Sequence, residues 1–418
     1  MKALFGKKGK KIEGDSPEKY NALYNFNFES IIKESKMTDN PLLGSELSDT
    51  LFIEAEIDKI SSGFIFTETY GKEICKAMKN QIKDKFPSSL LISRSNISPD
   101  LRVNIPFVQL PTLEMMENTF LRGTKWFEEN QEKIAQELSK QFKDISLVFI
   151  FVENDAFIVG LIIKIIEYLK EKNIQPILCF HIPPHEQNIE QEFTVLIAIH
   201  WLMKESTIAN IPFILYDENK LLKANSNVSI DILKSKLYDR EAHIISDLII
   251  ASQSPSEFYH LDLSNFLRIF EETKGLCEIF SIDIYDNNPT LSNLIKDNKS
   301  AWSFITVQKP TRGFLAIQPS SQGLQTKDYQ MIRKEFSNLD VIFSILPKRT
   351  NGAFIRGIFT YTLLPKQIMD RFDLFSNILV ETFDSNKEKI GFFDFSNIDG
   401  ILTSNYYLVR TLTEIEEN

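Results

Sequence analysis

LVFIFVENDAFIVGLIIKIIEYLKEKNIQPILCF, residues 147–180, decides the fold. Its first six residues, Leu147–Val152, are β-branched, aromatic or leucine with no polar alternation, the pattern of a strand buried on both faces of a parallel sheet. Phe157–Lys172 follows as an apolar helix and Ile174–Phe180 as a second buried strand. Strand, helix and strand in succession make a βαβ unit. The same alternation continues outward. Upstream, Gly63–Thr67 (GFIFT) and Ser88–Ser93 (SSLLIS) read as strands, Lys72–Lys85 as a helix and Leu121–Phe142 as one long amphipathic helix. Downstream, Gln191–Lys204 reads as a helix and Pro212–Tyr216 (PFILY) as a strand. The fold class is α/β.

Ser229–Ser252 carries Ile230, Leu233, Leu237, Ile244, Ile245, Leu248 and Ile249 at helical spacing, and ends before the stop signal Ser254-Pro255. Beyond it the texture changes. Phe280–Tyr285, Ser303–Val307, Gly313–Gln318, Val341–Leu346 and Ala353–Thr362 read as strands, with one helix at Thr326–Asn338. The expected organisation is a basic tip and arm (1–50), a parallel-sheet α/β domain (51–228), a long central helix (229–252) and a smaller α+β domain (253–364). A C-terminal extension (365–418) follows, helical over Pro365–Glu381.

Composition narrows the function. Of 418 residues, 43% are apolar and 25% charged, an ordinary globular balance. Lys+Arg 47 against Asp+Glu 57 gives −10, but Met1–Lys11 (MKALFGKKGKK) holds five lysines and no acid. The remaining body is therefore more acidic than the total suggests, which argues against general nucleic-acid binding. Cys75, Cys179 and Cys277 form no CxxC pair and their odd number fits a reducing compartment. His181 and His185 are separated by Pro183-Pro184, which excludes a shared helical face, so no metal site is expected. No apolar run reaches the roughly 20 residues of a membrane span, and no apolar stretch of a signal peptide follows the first lysines. The expected location is the cytoplasm. Glycine is scarce, 15 of 418, which disfavours any site built from several glycine-rich loops.

The layout, with its parallel-sheet domain, long helix and mixed-sheet domain, resembles the tubulin/FtsZ superfamily, FtsZ-like or CetZ-like. Leu147–Val152 with Glu153–Gly160 (ENDAFIVG) resembles the strand, phosphate loop and helix of that family. Pro212–Leu222 (PFILYDENKLL) resembles its base-recognition turn, Phe258–Phe266 (FYHLDLSNF) its catalytic loop NxDxxD, and Arg312–Thr362 its C-terminal domain. The resemblance spans about residues 60 to 365. It implies a GTPase-like nucleotide-binding domain, GTP or GDP as ligand, and self-association or co-assembly with a paralogue as a cytoskeletal element.

The departures fall on the chemistry. Glycine-rich phosphate loops let backbone N–H groups approach an anion. Here Glu153, Asn154, Asp155 and Ala156 stand in that loop, and two carboxylates repel a triphosphate. Asp155 reads as a helix N-cap. The first loop, Thr67–Lys72 (TETYGK), keeps only Gly71. Tyr70 precedes that glycine, and Lys72 reads either as a phosphate contact or as a solvated first-turn lysine. Glu218 takes the place of the family's base-recognising Asn, with Asn219 next to it. The catalytic loop becomes His260, Asp262 and Asn265. An amide at Asn265 cannot serve as a base, while Asp262 reads equally as a water-orienting group or as an N-cap. If nucleotide is absent, Phe157, Tyr70 and Glu153 are the side chains expected to fill the space.

Two functional readings follow from the resemblance. The first is a non-hydrolysing pseudo-GTPase that acts as a structural module in cell division, cell shape or membrane remodelling. The second is an active polymerising GTPase in which Lys72, Asn154, Asn219 and Asp262 replace the lost contacts. The tip, with Leu4 and Phe5 ahead of Lys7, Lys8, Lys10 and Lys11, reads either as a disordered solubilising tail or as a contact for anionic membrane at its cytoplasmic face.

Overall fold

Continuous apolar strands must be covered on both faces, and the chain meets that demand with one large sheet. The computed structural model describes residues 62–82, 88–95, 105–112, 120–182, 211–217, 229–253, 263–270, 276–284, 312–319, 326–335, 340–346 and 353–360. The expected segments Gln191–Lys204, Ser303–Val307, Pro365–Glu381 and the arm of residues 1–50 lie outside them.

The strands are β1 (Ser62–Thr67), β2 (Ser89–Ser93), β3 (Phe107–Gln109), β4 (Leu147–Val152), β5 (Gln175–Ile182), β6 (Phe213–Asp217), β7 (Leu276–Ile284), β8 (Arg312–Gln318), β9 (Asp340–Ile345) and β10 (Ala353–Thr360). The helices are α1 (Glu68–Ile82), α2 (Phe120–Glu129), α3 (Gln131–Gln141), α4 (Ala156–Glu171), α5 (Ile230–Gln253), α6 (Leu263–Arg268) and α7 (Thr326–Glu335). The sheet order is β3-β2-β1-β4-β5-β6-β7-β10-β8-β9. From β3 to β7 every pairing is parallel. β10 then runs antiparallel to both β7 and β8, and β9 returns parallel to β8.

β1 and β4 are buried along their whole length. Their register sets Phe64 beside Phe149 and Phe66 beside Phe151, and the Phe66 and Phe151 rings stack at 5.3 Å between centroids. Each fully buried phenylalanine contributes about 1.5–3 kcal/mol of transfer free energy. α1 and α5 cover this seam through Ile74, Met78, Leu237, Ile244, Ile245 and Leu248, all in one core with Phe64 and Phe149.

The C-terminal strands continue the sheet through a short junction, where Phe213 and Ile214 of β6 pair with Leu276 and Cys277 of β7. Buried polar contacts from α5 reinforce it. Arg356 of β10 donates from Nε to Asp247 at 3.0 Å and from a terminal nitrogen to Ser281 at 2.7 Å. Arg240 of α5 donates to the same Ser281 hydroxyl at 2.7 Å.

One expectation is corrected. The single helix over Leu121–Phe142 is two, α2 and α3, broken at Asn130. The Asn130 side-chain amide donates to the Trp126 carbonyl at 2.9 Å. Its backbone sits at φ −118°, ψ 15°, outside helical values. A short amide side chain competing for a backbone acceptor is a standard way to interrupt a helix. The strand β3 was not anticipated, because three residues carry no readable alternation.

α2 packs across α4 at Gly123, where an added Cβ would lie 2.0 Å from the Phe157 carbonyl oxygen and 2.9 Å from the Leu161 nitrogen. Gly123→Ala is therefore expected to destabilise by about 1–3 kcal/mol through overpacking. Lys125→Ala, on the exposed side of the same helix, should change stability by about 0.5 kcal/mol or less. Chemical denaturation of both variants measures the contrast.

Candidate functional site

In an open parallel sheet, ligands bind outside the carboxyl ends of the strands where the strand order reverses. That reversal lies between β1 and β4. The residues that emerge there are Thr67 and Glu68 from β1, Ser93 and Arg94 from β2, Glu153 to Asp155 from β4, and His181 near the end of β5.

β1 passes into α1 without a loop, since the strand ends at Thr67 and the helix begins at Glu68. The helix was expected only from Lys72. Glu68 makes the bend with φ 44°, a left-handed conformation that is uncommon outside glycine. Its carboxylate is held from the neighbouring strand end, accepting from Ser93 Oγ at 2.7 Å and from the Arg94 amide at 3.0 Å. Gly71 serves packing, because a Cβ there would meet the Phe66 carbonyl carbon at 2.7 Å and seat too far from β1. Lys72 turns toward β2, donating to the hydroxyl and carbonyl of Ser95, and partial burial pulls its pKa below the usual lysine value.

The turn after β4 is stitched to the junction of β1 and α1. The Glu153 amide donates to Thr67 Oγ1 at 2.9 Å, and that hydroxyl donates to the Phe151 carbonyl at 2.8 Å. The Glu153 carboxylate in turn accepts from the Tyr70 amide at 2.7 Å, in the first turn of α1. Burial pushes the Glu153 carboxyl above its ordinary pKa, opposed by the Tyr70 hydrogen bond and nearby His181, and aided by repulsion from Glu68 and Asp155.

Tyr70 points inward and is buried. Its hydroxyl donates to Glu241 of α5 at 2.6 Å. Its ring lies 4.2 Å from the His181 ring and 5.2 Å from that of Tyr238, centroid to centroid. His181 Nε2 is 3.4 Å from the other Glu241 oxygen. Phe157 is also buried, on the α2 side, with its ring centroid 6.1 Å from that of Trp126.

Asp155 is the N-cap of α4, accepting from the Ile158 amide at 3.0 Å. Both of its oxygens also accept from the two terminal nitrogens of Arg94, each at 3.0 Å. The side chains of Arg94 and Asp155 are only 14% and 16% exposed, so the pair is stronger than a surface ion pair. The guanidinium carbon lies 5.0 Å from the Phe157 ring centroid and Arg94 faces Glu68 at 3.6 Å. Asn154 Oδ1 is buried and accepts no hydrogen bond among the described residues.

The structure thus brings Tyr70, Gly71, Glu153, Asn154 and Asp155 to one crevice, with Lys72 at its rim. Asn265 lies within α6. Glu218, Asn219, His260, Asp262 and the tip residues Leu4, Phe5, Lys7, Lys8, Lys10 and Lys11 lie outside the described residues. Sequence reasoning missed Glu68, Arg94, Tyr238 and Glu241. The available signal for Arg94 was its place immediately after a fully buried strand. Among the described residues no group of three or more His, Cys, Asp or Glu is arranged to hold a metal ion, and no helix is long and apolar enough to cross a membrane. The three cysteines are buried, and burial pushes the Cys75 thiol up to about 12.

Glu153 gives a pH test. A carboxyl whose folded pKa is raised stabilises the fold below its unfolded value near 4.5, and that contribution is lost as pH rises through the folded pKa. Glu153→Gln removes this loss. The melting temperature of the variant relative to wild type should climb as pH rises above about 4.5 and then level off. A difference that stays flat from acid to neutral pH would contradict the assignment.

No family model and no curated protein sequence matches the chain. Solved structures do. CetZ from Methanosaeta thermophila is 15% identical with a TM-score of 0.64, covering 85% of this chain and 99% of CetZ. A GTPγS-form protofilament of TubZ from Bacillus thuringiensis serovar israelensis is 15% identical with a TM-score of 0.63, covering 80% and 95%. An empty FtsZ dimer from M. jannaschii is 12% identical with a TM-score of 0.57, covering 72% and 88%. With the strand order and the long helix α5, these similarities establish that the chain has the tubulin/FtsZ-superfamily fold.

Proposed function

We propose that this chain is a tubulin-like cytoskeletal protein that works as an assembly module and does not hydrolyse GTP. It associates with itself or with a paralogue of the same fold, as TubZ does in its protofilaments. One observation carries the reading: the two segments that would face a triphosphate from either side grip each other instead, through Thr67, Tyr70 and Glu153. A phosphate needs free backbone N–H groups and low local negative charge. Here the Glu153 amide is spent on Thr67, the Tyr70 amide on Glu153 and the Ile158 amide on Asp155. Glu68, Glu153 and Asp155 add three carboxylates against Arg94 and the displaced Lys72.

The residues present do not fit GTP or GDP in the manner the fold implies. Assembly then depends on protein surfaces alone. Purified protein, denatured and analysed for released nucleotide, is expected to yield no GTP or GDP. Its pelleting or dimerisation should be the same with and without added GTP. Stoichiometric bound nucleotide, or GTP-dependent polymerisation with phosphate release, would overturn the reading.

The lysine-rich tip adds a proposed membrane contact. Each lysine near an anionic surface contributes about 1 kcal/mol, and Leu4 and Phe5 supply shallow insertion. Sedimentation with anionic liposomes should be lost on deleting residues 1–11 and reduced by salt. Equal sedimentation of both forms removes the membrane role.

A further inference from the structure

Beneath the crevice, α5 carries a glutamate into the core. The Glu241 side chain is 0% exposed, and a carboxylate cut off from water is costly unless hydrogen bonds and a counter-charge meet it. The Tyr70 hydroxyl of α1 donates to Oε1 at 2.6 Å, and His181 Nε2 of β5 lies 3.4 Å from Oε2. Of these two partners only the imidazole can bring a charge near neutral pH. Its surroundings favour the charged form. Glu241 faces it from α5, and Glu153 acts on it electrostatically from the turn after β4. The Tyr70 and Tyr238 rings lie 4.2 Å and 5.5 Å from it, centroid to centroid, both within the roughly 6 Å over which an aromatic ring attracts a cation. On β6 its backbone partner is Tyr216. Cys179, two residues back on β5, stays a neutral thiol because burial pushes it well above the usual range. Lys72 of α1 is turned to Ser95, and Arg240 of α5 to Ser281. Burial alone would favour the neutral ring; two carboxylates and two aromatic rings outweigh it.

We infer that His181, Glu241 and Tyr70 form a proton-operated latch on α5: the imidazolium holds Glu241, and with it the middle of the helix, against α1 and the end of β5, and loss of that proton at alkaline pH loosens the hold. A histidine that keeps its proton more tightly in the fold than in the unfolded chain contributes stability that is complete below about pH 6.5 and is lost as pH rises through its folded midpoint. A histidine buried as the neutral ring does the reverse and adds stability as pH rises. The two protonation states therefore predict opposite signs.

The test follows the His181 imidazole of the full chain by NMR from about pH 5 to 9, its signal assigned by loss in His181→Gln. The wild-type midpoint should lie above about 6.5. In Glu241→Gln, which keeps an acceptor for Tyr70, it should fall by about one to three pH units. Hydrogen exchange of the α5 amides around Glu241, corrected for the intrinsic effect of pH, reads the latch itself. Their protection in wild type should drop across the His181 titration, by up to about tenfold for each pH unit by which the midpoint is raised. If Glu241→Gln does not fold, the melting temperature of wild type relative to His181→Gln decides: that difference should shrink as pH rises from about 6.5 to 9. A wild-type midpoint at or below about 6.5, a midpoint unmoved in folded Glu241→Gln, or exchange in α5 that ignores the titration overturns the inference. So does a melting difference that stays level or grows with pH.

Discussion

The pairing of β1 with β4 is the constraint on which the rest of the molecule depends. Both strands are buried on both faces, so helices must lie above and below them and neither can sit at an edge. Because β1 also pairs with β2, the chain order reverses across this seam and a crevice opens at its carboxyl end. The stacked phenylalanines and the crevice are consequences of one register. Any change that loosened Phe66 from Phe151 would disturb the core and the candidate site together.

The crevice solves an electrostatic problem locally. Glu68, Glu153 and Asp155 are carboxylates on adjoining strand ends, and like charges in a partly dry setting are costly. Each is met by donors: Ser93 and the Arg94 amide for Glu68, the Tyr70 amide for Glu153, and Arg94 with Ile158 for Asp155. The amides of Tyr70, Glu153 and Ile158 are thus paired within the chain. Beneath them, Tyr70, His181 and Glu241 extend the polar contacts to α5, and six residues further along that helix Asp247 engages Arg356.

Much of this was legible where a pattern is local. LVFIFV is a strand with the predicted ends, and α4 and α5 fall within a residue or two of their apolar periodicity. Asp155 reads as a cap because capping is a contact three residues long. Asn130 did not read as a break, since the apolar spacing runs through it and the non-helical backbone there, φ −118° and ψ 15°, leaves no mark on that spacing. The start of α1 was hidden because Gly71 and Lys72 suggest a loop, whereas Glu68 bends the backbone with a positive φ that no composition rule reveals. Arg94 could be read only as the residue just past a buried strand, because its partner Asp155 is far away in sequence and meets it only once the parallel sheet has formed.

The left-handed backbone at Glu68 has a meaning in the genetic code. Glutamate and aspartate codons each differ from a glycine codon at a single base. Glu68 already holds a conformation that glycine adopts freely, and Glu153 and Asp155 occupy the neighbouring turn. Single base changes therefore connect Glu68, Glu153 and Asp155 to glycine, and at Glu68 the main chain already has the shape that glycine favours.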